Sequence, residues 1–326
     1  MLVYTTDQDP GITRKGAGTG FYYLDAEGNK VEDDEVLERI RSLAIPPAYR
    51  EVWICPLING HLQATGYDQR QRKQYRYHPE WQKSQNTNKF ARLPEVGEGL
   101  PRLRRRIRED LKDFSCRKCE VVAGAVRIID KLGLRVGNRR YLEENQTRGV
   151  STLSEDNVRM DGEAALDIEY VAKGGKRVRA HLHDALLANA VEECHELGGQ
   201  DLFTYQGIDG KIHSINSADI NRYLKEVYQS EVSAKDLRTW RASAETLDYL
   251  RKIRKPEDRE AEIRDAIRHA AEEIQNRYAT CRKHYVHPRI LEAYRESSSA
   301  GFSRLRIEDR PELQKAESLL LRILAA

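Results

Sequence analysis

The sequence predicts an α+β protein in which a small β-rich N-terminal domain, residues 1–88, precedes a larger, mostly α-helical domain, residues 89–326. Three observations lead to this prediction. Short alternating or aromatic segments separated by turns fill the chain up to Pro79, whereas helical periodicity prevails after Lys89. One pair of alternating segments with a Gly-Gly turn, a predicted β-hairpin, interrupts the helices. At 326 residues the chain is long enough for two domains, each with its own core.

The N-terminal domain is predicted to consist of short strands around one helix. The apolar runs 21–24 and 52–54 each lead into a turn, as the strands of a hairpin do. A helix is predicted over 33–43, because acidic residues occupy its first turn and Pro46 follows its end. The polar, weakly patterned segment 82–88 is the predicted linker between the domains.

In the C-terminal domain, the apolar segment 121–132 predicts a buried helix that ends at Gly133, the residue type that most easily adopts a left-handed helix stop. The segments 167–172 and 177–182 alternate on either side of Gly174-Gly175, which predicts the hairpin. Further helices are predicted over 182–196, 217–229, 233–253, 256–278 and 310–324.

Composition and missing motifs argue against several classes of protein. No apolar run approaches the roughly 18 residues of a membrane span, and Asp7 and Asp9 stand where a signal peptide would be basic and then apolar. We therefore expect a soluble, intracellular protein. The sequence has neither a P-loop nor a His-Glu-x-x-His motif, so it predicts no nucleotide hydrolysis and no catalytic metal. Five irregularly spaced cysteines predict no disulfide framework, and Cys116 and Cys119 lack a second pair at zinc-finger spacing.

Basic residues are clustered although the formal net charge is only +3. One cluster comprises Arg70, Arg72, Lys73 and Arg76, and a second comprises Arg102, Arg104, Arg105, Arg106 and Arg108. A single basic run is more often a solvated face. Two runs, one of them interleaved with Tyr75 and Tyr77, favour a surface that follows a phosphate backbone.

Four basic residues stand out by context, and each also has an ordinary interpretation. Arg135 lies between apolar residues just after Gly133, where it could form a buried ion pair. Lys173 lies at the hairpin tip, where it could be a simple turn lysine. Lys235 and Arg238 share one face of a helix and suit a phosphate, but could equally belong to a solvated stripe paired with Asp236 or Glu245.

Tyr285 is one of sixteen tyrosines, and its surroundings single it out as a candidate nucleophile. Arg282 and Lys283 precede it, and Pro288 ends the local helix soon after. Nearby cations favour both a phenolate and an anionic substrate. Asn276, nine residues earlier, could donate a hydrogen bond from its amide.

Nine short runs match one family in order along nearly the whole chain. They are 43–47 (LAIPP), 52–54 (VWI), 61–66 (HLQATG), 72–79 (RKQYRYHP), 134–138 (LRVGN), 141–145 (YLEEN), 173–176 (KGGK), 235–240 (KDLRTW) and 282–288 (RKHYVHP). Each run is modest alone, but their joint order is specific. Together they resemble the poxvirus-like type IB DNA topoisomerases, particularly the bacterial members.

The resemblance implies a role for each candidate residue. Tyr285 would attack a phosphodiester and form a 3′-phosphotyrosyl intermediate. Arg135 and Arg238 would stabilise the transition state, and Lys173, with Lys176 as a weaker rival, would protonate the leaving 5′-oxygen. The remaining matches would contact DNA: Lys235, Arg72, Lys73, Gln74, Tyr75 and Tyr77. Poxvirus members have histidine at the position of Asn276, which as an amide can donate a hydrogen bond but cannot shuttle a proton.

The resemblance also implies a monomer that closes around double-stranded DNA as a clamp and needs neither metal nor ATP. We expect it in the cytoplasm, associated with the nucleoid. Two alternatives remain open. A tyrosine recombinase shares the Arg, Lys, Arg and Tyr set, but usually has a histidine at the position of Lys235 and a helical N-terminal domain. A DNA-binding module without catalytic activity is the third interpretation.

Overall fold

The computed structural model describes residues 1–18, 20–162, 164–297, 301–303 and 305–325, without the side chains of Gln85 and Asn86. Contacts between Cα atoms divide the chain into two compact units, Met1–Asn88 and Lys89–Ala326. The first unit is built on a β-sheet and the second is mainly helical. The α+β fold class predicted from the sequence is therefore confirmed.

The first unit is a five-stranded antiparallel sheet with strand order β2-β1-β3-β4-β5. The strands are β1 (Ile12–Ala17), β2 (Gly20–Leu24), β3 (Arg50–Ile54), β4 (Leu62–Tyr67) and β5 (Lys73–Tyr77). Helix α1 (Asp34–Ser42) contributes Ile40 to the core, where it joins Ile12, Val52 and Ile54. The carboxylate of Asp33 accepts hydrogen bonds from the first-turn amides of α1, which places this helix where the sequence predicts it.

The segment 82–88, predicted as the linker, ends where the two compact units divide, but it lies inside helix α2 (Pro79–Ala91), which the sequence did not predict. Pro79 occupies the first helical position, and Nδ1 of His78 accepts a hydrogen bond from the amide of Glu80. No glycine or further proline interrupts the segment. Its polar composition concealed the helix, since the apolar periodicity by which helices are recognised is absent here.

The second unit contains the remaining elements. Its helices are α3 (Leu93–Lys112), α4 (Lys118–Leu132), α5 (Arg139–Asn145), α6 (Ala185–Leu197), α7 (Ser217–Tyr228), α8 (Ala234–Lys252), α9 (Arg259–Glu273), α10 (Tyr278–His284), α11 (Pro288–Glu296) and α12 (Lys315–Ala325). Its strands are β6 (Val158–Asp161), β7 (Ala165–Ala172), β8 (Lys176–His183), β9 (Thr204–Gln206) and β10 (Ile212–Ser214). Of the helices described, none combines the length and apolar character that crossing a bilayer requires.

Local sequence signals located most of these elements correctly. Helix α4 ends at Gly133 with φ +59°, and the turn between β7 and β8 uses positive φ at Gly174 and Gly175, as predicted. The predicted helix over 256–278 is too long at both ends, because α9 begins at Arg259 and stops at Glu273, and α10 begins only at Tyr278. The β9–β10 hairpin was not predicted, since its strands have three residues each and carry little periodic signal.

Two glycines of α3 allow large aromatic side chains to pack against the helix backbone. A Cβ atom at Gly97 would lie 2.2 Å from Cη2 of Trp240, and one at Gly99 would lie 2.2 Å from Cε1 of Tyr228. Trp240 is fully buried and also donates from Nε1 to the carboxylate of Glu317 on α12. The close approach of α3 to α7 and α8 therefore depends on the absence of side chains at these two positions.

We expect Gly97→Ala to lower the free energy of unfolding of the second unit by about 2 kcal/mol, because the Trp240 ring must move to admit the methyl group. The matched control is Glu109→Ala at an exposed position of the same helix, which should be close to neutral. Urea unfolding of both variants measures the difference. Equal stability of Gly97→Ala and the wild type would contradict this packing.

Candidate active site

Arg238 lies at the centre of a group of basic and polar side chains in the second unit. It is 3% exposed, and its Nη1 and Nη2 donate to the carbonyls of Gly133 and Ile274, the latter at 3.0 Å. These two residues cap the C-termini of α4 and α9, where backbone carbonyls lack helical partners and carry partial negative charge. One guanidinium thus fastens the ends of two helices.

The charge of Arg238 is not neutralised by a carboxylate within the described part of the chain. Burial lowers the pKa of Arg238 from its ordinary value, and its Nε is buried without a hydrogen-bond partner. A buried cation that interacts with dipoles but with no counter-ion keeps a strong attraction for an anion. An oxyanion bound at this arginine would supply the missing charge.

Arg135 extends the same arrangement from the loop after α4. Its Nη1 donates to the carbonyl of Gln275 at 3.0 Å, and its Nη2 donates to Oδ1 of Asn276 at 3.2 Å. No carboxylate in the described ranges lies within salt-bridge distance of Arg135, so the buried ion pair considered from the sequence is not what the structure contains. Arg135 and Arg238 therefore both contact the segment that follows α9.

That segment turns sharply at Gln275. The amide of Gln275 donates to the carbonyl of Glu272 at 3.0 Å, and that of Asn276 donates to the carbonyl of Ala271 at 2.7 Å. This pair of bonds is a Schellman motif, with Gln275 in the left-handed conformation, φ +53°, that glycine usually adopts there. The turn points the Gln275 carbonyl and the Asn276 side chain toward Arg135.

The side-chain amide of Asn276 is held with its nitrogen unused. Its Oδ1 accepts from Arg135 and from the backbone amide of Arg277 at 3.0 Å, whereas its Nδ2 is buried without a partner. An unsatisfied buried donor is unfavourable unless a ligand provides an acceptor. Asn276 is thus oriented to donate a hydrogen bond to an oxygen bound in the site.

Tyr285 caps the C-terminus of α10 beside these groups. Its amide donates to the carbonyl of Cys281 at 2.8 Å, and its own carbonyl accepts from Oγ of Ser243 on α8 at 3.1 Å. Its half-buried ring lies 5.5 Å from Cζ of Arg238 and 4.4 Å from Nζ of Lys89. The structure therefore brings together Tyr285, Arg238, Arg135 and Asn276, which the sequence could only nominate one by one.

The two lysines of the hairpin are placed differently. Nζ of Lys173, at the exposed tip, lies 4.7 Å from the ring centroid of Tyr141 on α5. Nζ of Lys176, the first residue of β8, donates to the backbone carbonyl of Asn276 at 3.3 Å. Of these two lysines, Lys176 is the one that contacts the Asn276 segment in the described structure.

Lys235 is exposed on the first turn of α8, three residues before the buried Arg238. The carboxylate of Asp236 accepts from the amide and hydroxyl of Ser233 and so closes the start of the helix, while Glu245 pairs with Arg241 at 2.7 Å. Lys235 is therefore not paired with either carboxylate that the sequence offered as an alternative. It remains a cation at the edge of the site.

In the first unit, four of the five residues expected to contact DNA lie on β5, and the fifth, Arg72, directly precedes this strand. The rings of Tyr75 and Tyr77 are exposed and stacked at 6.1 Å between centroids. The polar members are held by carboxylates, because Lys73 pairs with Asp7, and both Arg72 and Gln74 bond to Asp68. The hydrogen bond from Arg72 lowers the pKa of Asp68 to about 2. Of these five residues, Tyr75 and Tyr77 are thus the exposed ones without a carboxylate partner.

Three arginines of the second basic cluster, on α3, are paired with carboxylates. Arg104 is largely buried and bonds to Asp130 and Glu317, both at 2.8–3.0 Å. Arg106 pairs with Asp110 at 2.9 Å, and Arg108 pairs with Glu312 at 2.6 Å. The expectation is wrong for Arg104, which is largely buried between two carboxylates that are distant in the sequence. For the exposed arginines of the cluster it stays a prediction.

Potential metal ligands lie elsewhere. Within the described ranges, one group of three ligand-type side chains is close enough to share an ion, namely Asp161, Asp167 and His181 on the β6–β7–β8 sheet. All three are exposed, and Nδ1 of His181 lies 2.8 Å from Oδ1 of Asp167. Exposed acidic groups of this kind are common without a metal, and these do not contact Arg238 or Tyr285 in the described structure.

Sequence reasoning missed three residues at the site. Gln275 forms its turn without the glycine that would have indicated a turn in the sequence. Ser243, on α8, donates a hydrogen bond to the backbone carbonyl of Tyr285. Lys89 is 8% exposed and donates to the carbonyl of His284. Nothing local marks Lys89, because its partners lie 195 residues later in the chain.

Two family models match the sequence. The catalytic core of eukaryotic DNA topoisomerase I matches residues 78–306, and the N-terminal domain of bacterial DNA topoisomerase IB matches residues 20–68. The chain is 28% identical to DNA topoisomerase 1B of Acanthamoeba polyphaga mimivirus over 297 residues, covering 88% of each protein. It is 31% identical to DNA topoisomerase 1 of Daucus carota over 144 residues, covering 43% of this chain and 17% of that protein.

The turn at Gln275 provides a test of the site's architecture. We expect Gln275→Val to lower the free energy of unfolding by about 1–2 kcal/mol, because a β-branched residue is strained at positive φ. The matched variant Gln275→Gly should unfold at the same denaturant concentration as the wild type or a higher one. If valine and glycine have the same effect in urea unfolding, the left-handed turn does not exist in solution.

Proposed function

The chain belongs to the type IB DNA topoisomerase family, and we propose that it relaxes supercoiled duplex DNA with Tyr285 as its nucleophile. The observation that carries the assignment of Tyr285 is its position beside Arg238, which, like Arg135, contacts the end of α9 or the turn after it through carbonyl groups and is neutralised by no described carboxylate. Such a pocket suits the non-bridging oxygens of a phosphodiester, to which a guanidinium donates parallel hydrogen bonds.

The reaction is a transesterification in which one phosphodiester replaces another. The phenolic oxygen of Tyr285 bonds to phosphorus and loses its proton, while the bond from phosphorus to the 5′-oxygen breaks and that oxygen gains a proton. The result is a 3′-phosphotyrosyl strand and a free 5′-hydroxyl. Because the number of phosphodiester bonds is conserved, religation requires no ATP, and the release of supercoiling drives the net change.

Arg135, Arg238 and Asn276 would stabilise the pentacoordinate transition state. Negative charge grows on the non-bridging oxygens as Tyr285 attacks, and fixed donors lower its energy because they need little reorganisation. Arg238 is fixed by two helix ends and Arg135 by the Gln275 turn. The unused Nδ2 of Asn276 would complete the set as a hydrogen-bond donor. Being an amide, it would act electrostatically rather than as a proton carrier.

The leaving 5′-oxygen requires an acid, and the hairpin offers two candidates. Lys173 matches the family's position, and its exposed place at the tip would let it enter the site when DNA binds. Lys176 is the second candidate, because its ammonium already contacts Asn276. We assign the proton transfer to Lys173, and to Lys176 the role of holding the Asn276 segment.

Duplex DNA is the proposed partner, bound by a monomer in the cytoplasm close to the nucleoid. Lys235 would contact a phosphate near Arg238, and the stacked rings of Tyr75 and Tyr77 would contact bases or sugars. Arg72, Lys73 and Gln74 would add phosphate contacts once DNA competes for their carboxylate partners. No step of the proposed reaction calls for a metal or another cofactor.

We expect Tyr285→Phe to lose plasmid relaxation by more than about a thousandfold, because phenylalanine lacks the attacking oxygen. Tyr278→Phe, on the same short helix, is the matched control and should retain activity within about threefold. The assay is relaxation of supercoiled plasmid with a chelator and without ATP, together with gel detection of a covalent 3′-adduct. Relaxation by Tyr285→Phe at the wild-type rate would disprove the nucleophile.

We expect Lys173→Ala to slow strand cleavage about a hundredfold or more, the usual contribution of a general acid. A substrate whose bridging 5′-oxygen is replaced by sulfur should restore most of this loss, because a thiolate leaves without a proton. Lys176→Ala should be slowed less and gain no such rescue. Rescue of Lys176→Ala instead of Lys173→Ala in single-turnover cleavage would exchange the two assignments.

A further inference from the structure

Lys89 is a buried lysine directly beside the proposed nucleophile, in a position that no step of the proposed reaction uses. It lies near the end of α2, and 8% of its surface is exposed. Its Nζ donates to the carbonyl of His284 and lies 4.4 Å from the ring centroid of Tyr285 and 5.3 Å from that of Phe90.

Burial of this amine is unfavourable in its surroundings. From α8 it faces the cations Lys235 and Arg238 and the carboxylate of Asp236, and from α10 it faces Cys281 and His284. Burial, and then repulsion by Lys235 and Arg238, lower the pKa of Lys89 to about 7. No carboxylate in the described ranges forms a salt bridge with it. Lysines are rarely buried without such a partner.

Its contacts explain why the amine lies there. Helix α10 has seven residues and ends at His284 with Tyr285 as its C-cap, so its last carbonyls have no helical partners. Lys89 binds the carbonyl of His284, and Oγ of Ser243 binds the carbonyl of Tyr285 at 3.1 Å. Two consecutive carbonyls at the nucleophile are thus fixed from two other helices, α2 and α8.

We propose that Lys89 is a positioning residue for Tyr285, anchoring the backbone before it and lying across the face of its phenol ring. The proposal rests on the proposed role of Tyr285. A cation over an aromatic face restricts the ring, and a backbone anchor restricts the rotation that would carry the phenolic oxygen out of line. When a DNA phosphate occupies the site, its negative charge favours the ammonium form of Lys89.

The test compares Lys89→Met, Lys89→Arg and the exposed matched control Lys83→Met on the same helix. Single-turnover cleavage of a DNA duplex gives the rate constant of adduct formation, and equilibrium binding to the same duplex gives the Kd. We expect Lys89→Met to cleave about tenfold to a hundredfold more slowly with an unchanged Kd. Lys89→Arg should recover most of the rate, and Lys83→Met should match the wild type.

Two further measurements distinguish positioning from proton transfer. The sulfur-bridged substrate should not rescue Lys89→Met, because leaving-group protonation is not impaired. The ratio of wild-type to Lys89→Met cleavage rates should stay constant or fall as pH rises from 6 to 9, because the ammonium form does the positioning. A ratio that rises with pH would mean that the neutral amine acts as a base and would overturn the proposal.

The proposal is also overturned if Lys89→Met cleaves at the wild-type rate, or if its defect lies wholly in Kd. An intact Kd and a wild-type melting profile show that the variant is folded. If Lys89→Met does not fold, the cleavage rate of Lys89→Arg decides. Cleavage by Lys89→Arg that is as slow as cleavage by an unfolded variant counts against positioning by charge. Failure of the proposed function is separate, since it would appear as relaxation by Tyr285→Phe.

Discussion

The buried guanidinium of Arg238 is the interaction on which the rest of the site depends. By donating to the carbonyls of Gly133 and Ile274, it joins the C-termini of α4 and α9. Arg135 leaves the first of these helix ends, and the Gln275 turn leaves the second. A single cation thus sets the distance between the two segments that carry the other proposed transition-state groups. The aromatic ring next to this cation is that of Tyr285.

The cations of this site differ from Arg104, Arg106 and Arg108 of α3 in the groups that bind them. Arg238, Arg135, Lys176 and Lys89 all donate to backbone carbonyls, which orient a cation without cancelling its charge. Arg104, Arg106 and Arg108 of α3 bind carboxylates instead and are neutralised. Orientation without neutralisation leaves the charge for a phosphate, at the cost of keeping unpaired cations partly out of water.

Elements that depend on interactions between near neighbours in the sequence were predicted more successfully than the others. Helix α1, helix α4 with its stop at Gly133, and the Gly174-Gly175 hairpin depend on neighbours a few residues away, and all were predicted. The helical conformation of α2 was not predicted, because this helix lacks an apolar stripe. The break between α9 and α10 was missed because Gln275 adopts a conformation for which the chain offers no glycine.

The sequence by itself determined the fold class and the ordered motifs that nominate Arg135, Lys173, Arg238, Asn276 and Tyr285. Local periodicity, turn chemistry and motif order suffice for both. The tertiary structure alone decided which cations are free, since Arg104 meets Glu317 from 213 residues away and Arg238 meets Gly133 from 105 residues away. It alone revealed Lys89, whose partner lies 195 residues later. Contacts between distant segments determine which counter-ion or backbone carbonyl each cation binds, so a local sequence pattern cannot predict these partners.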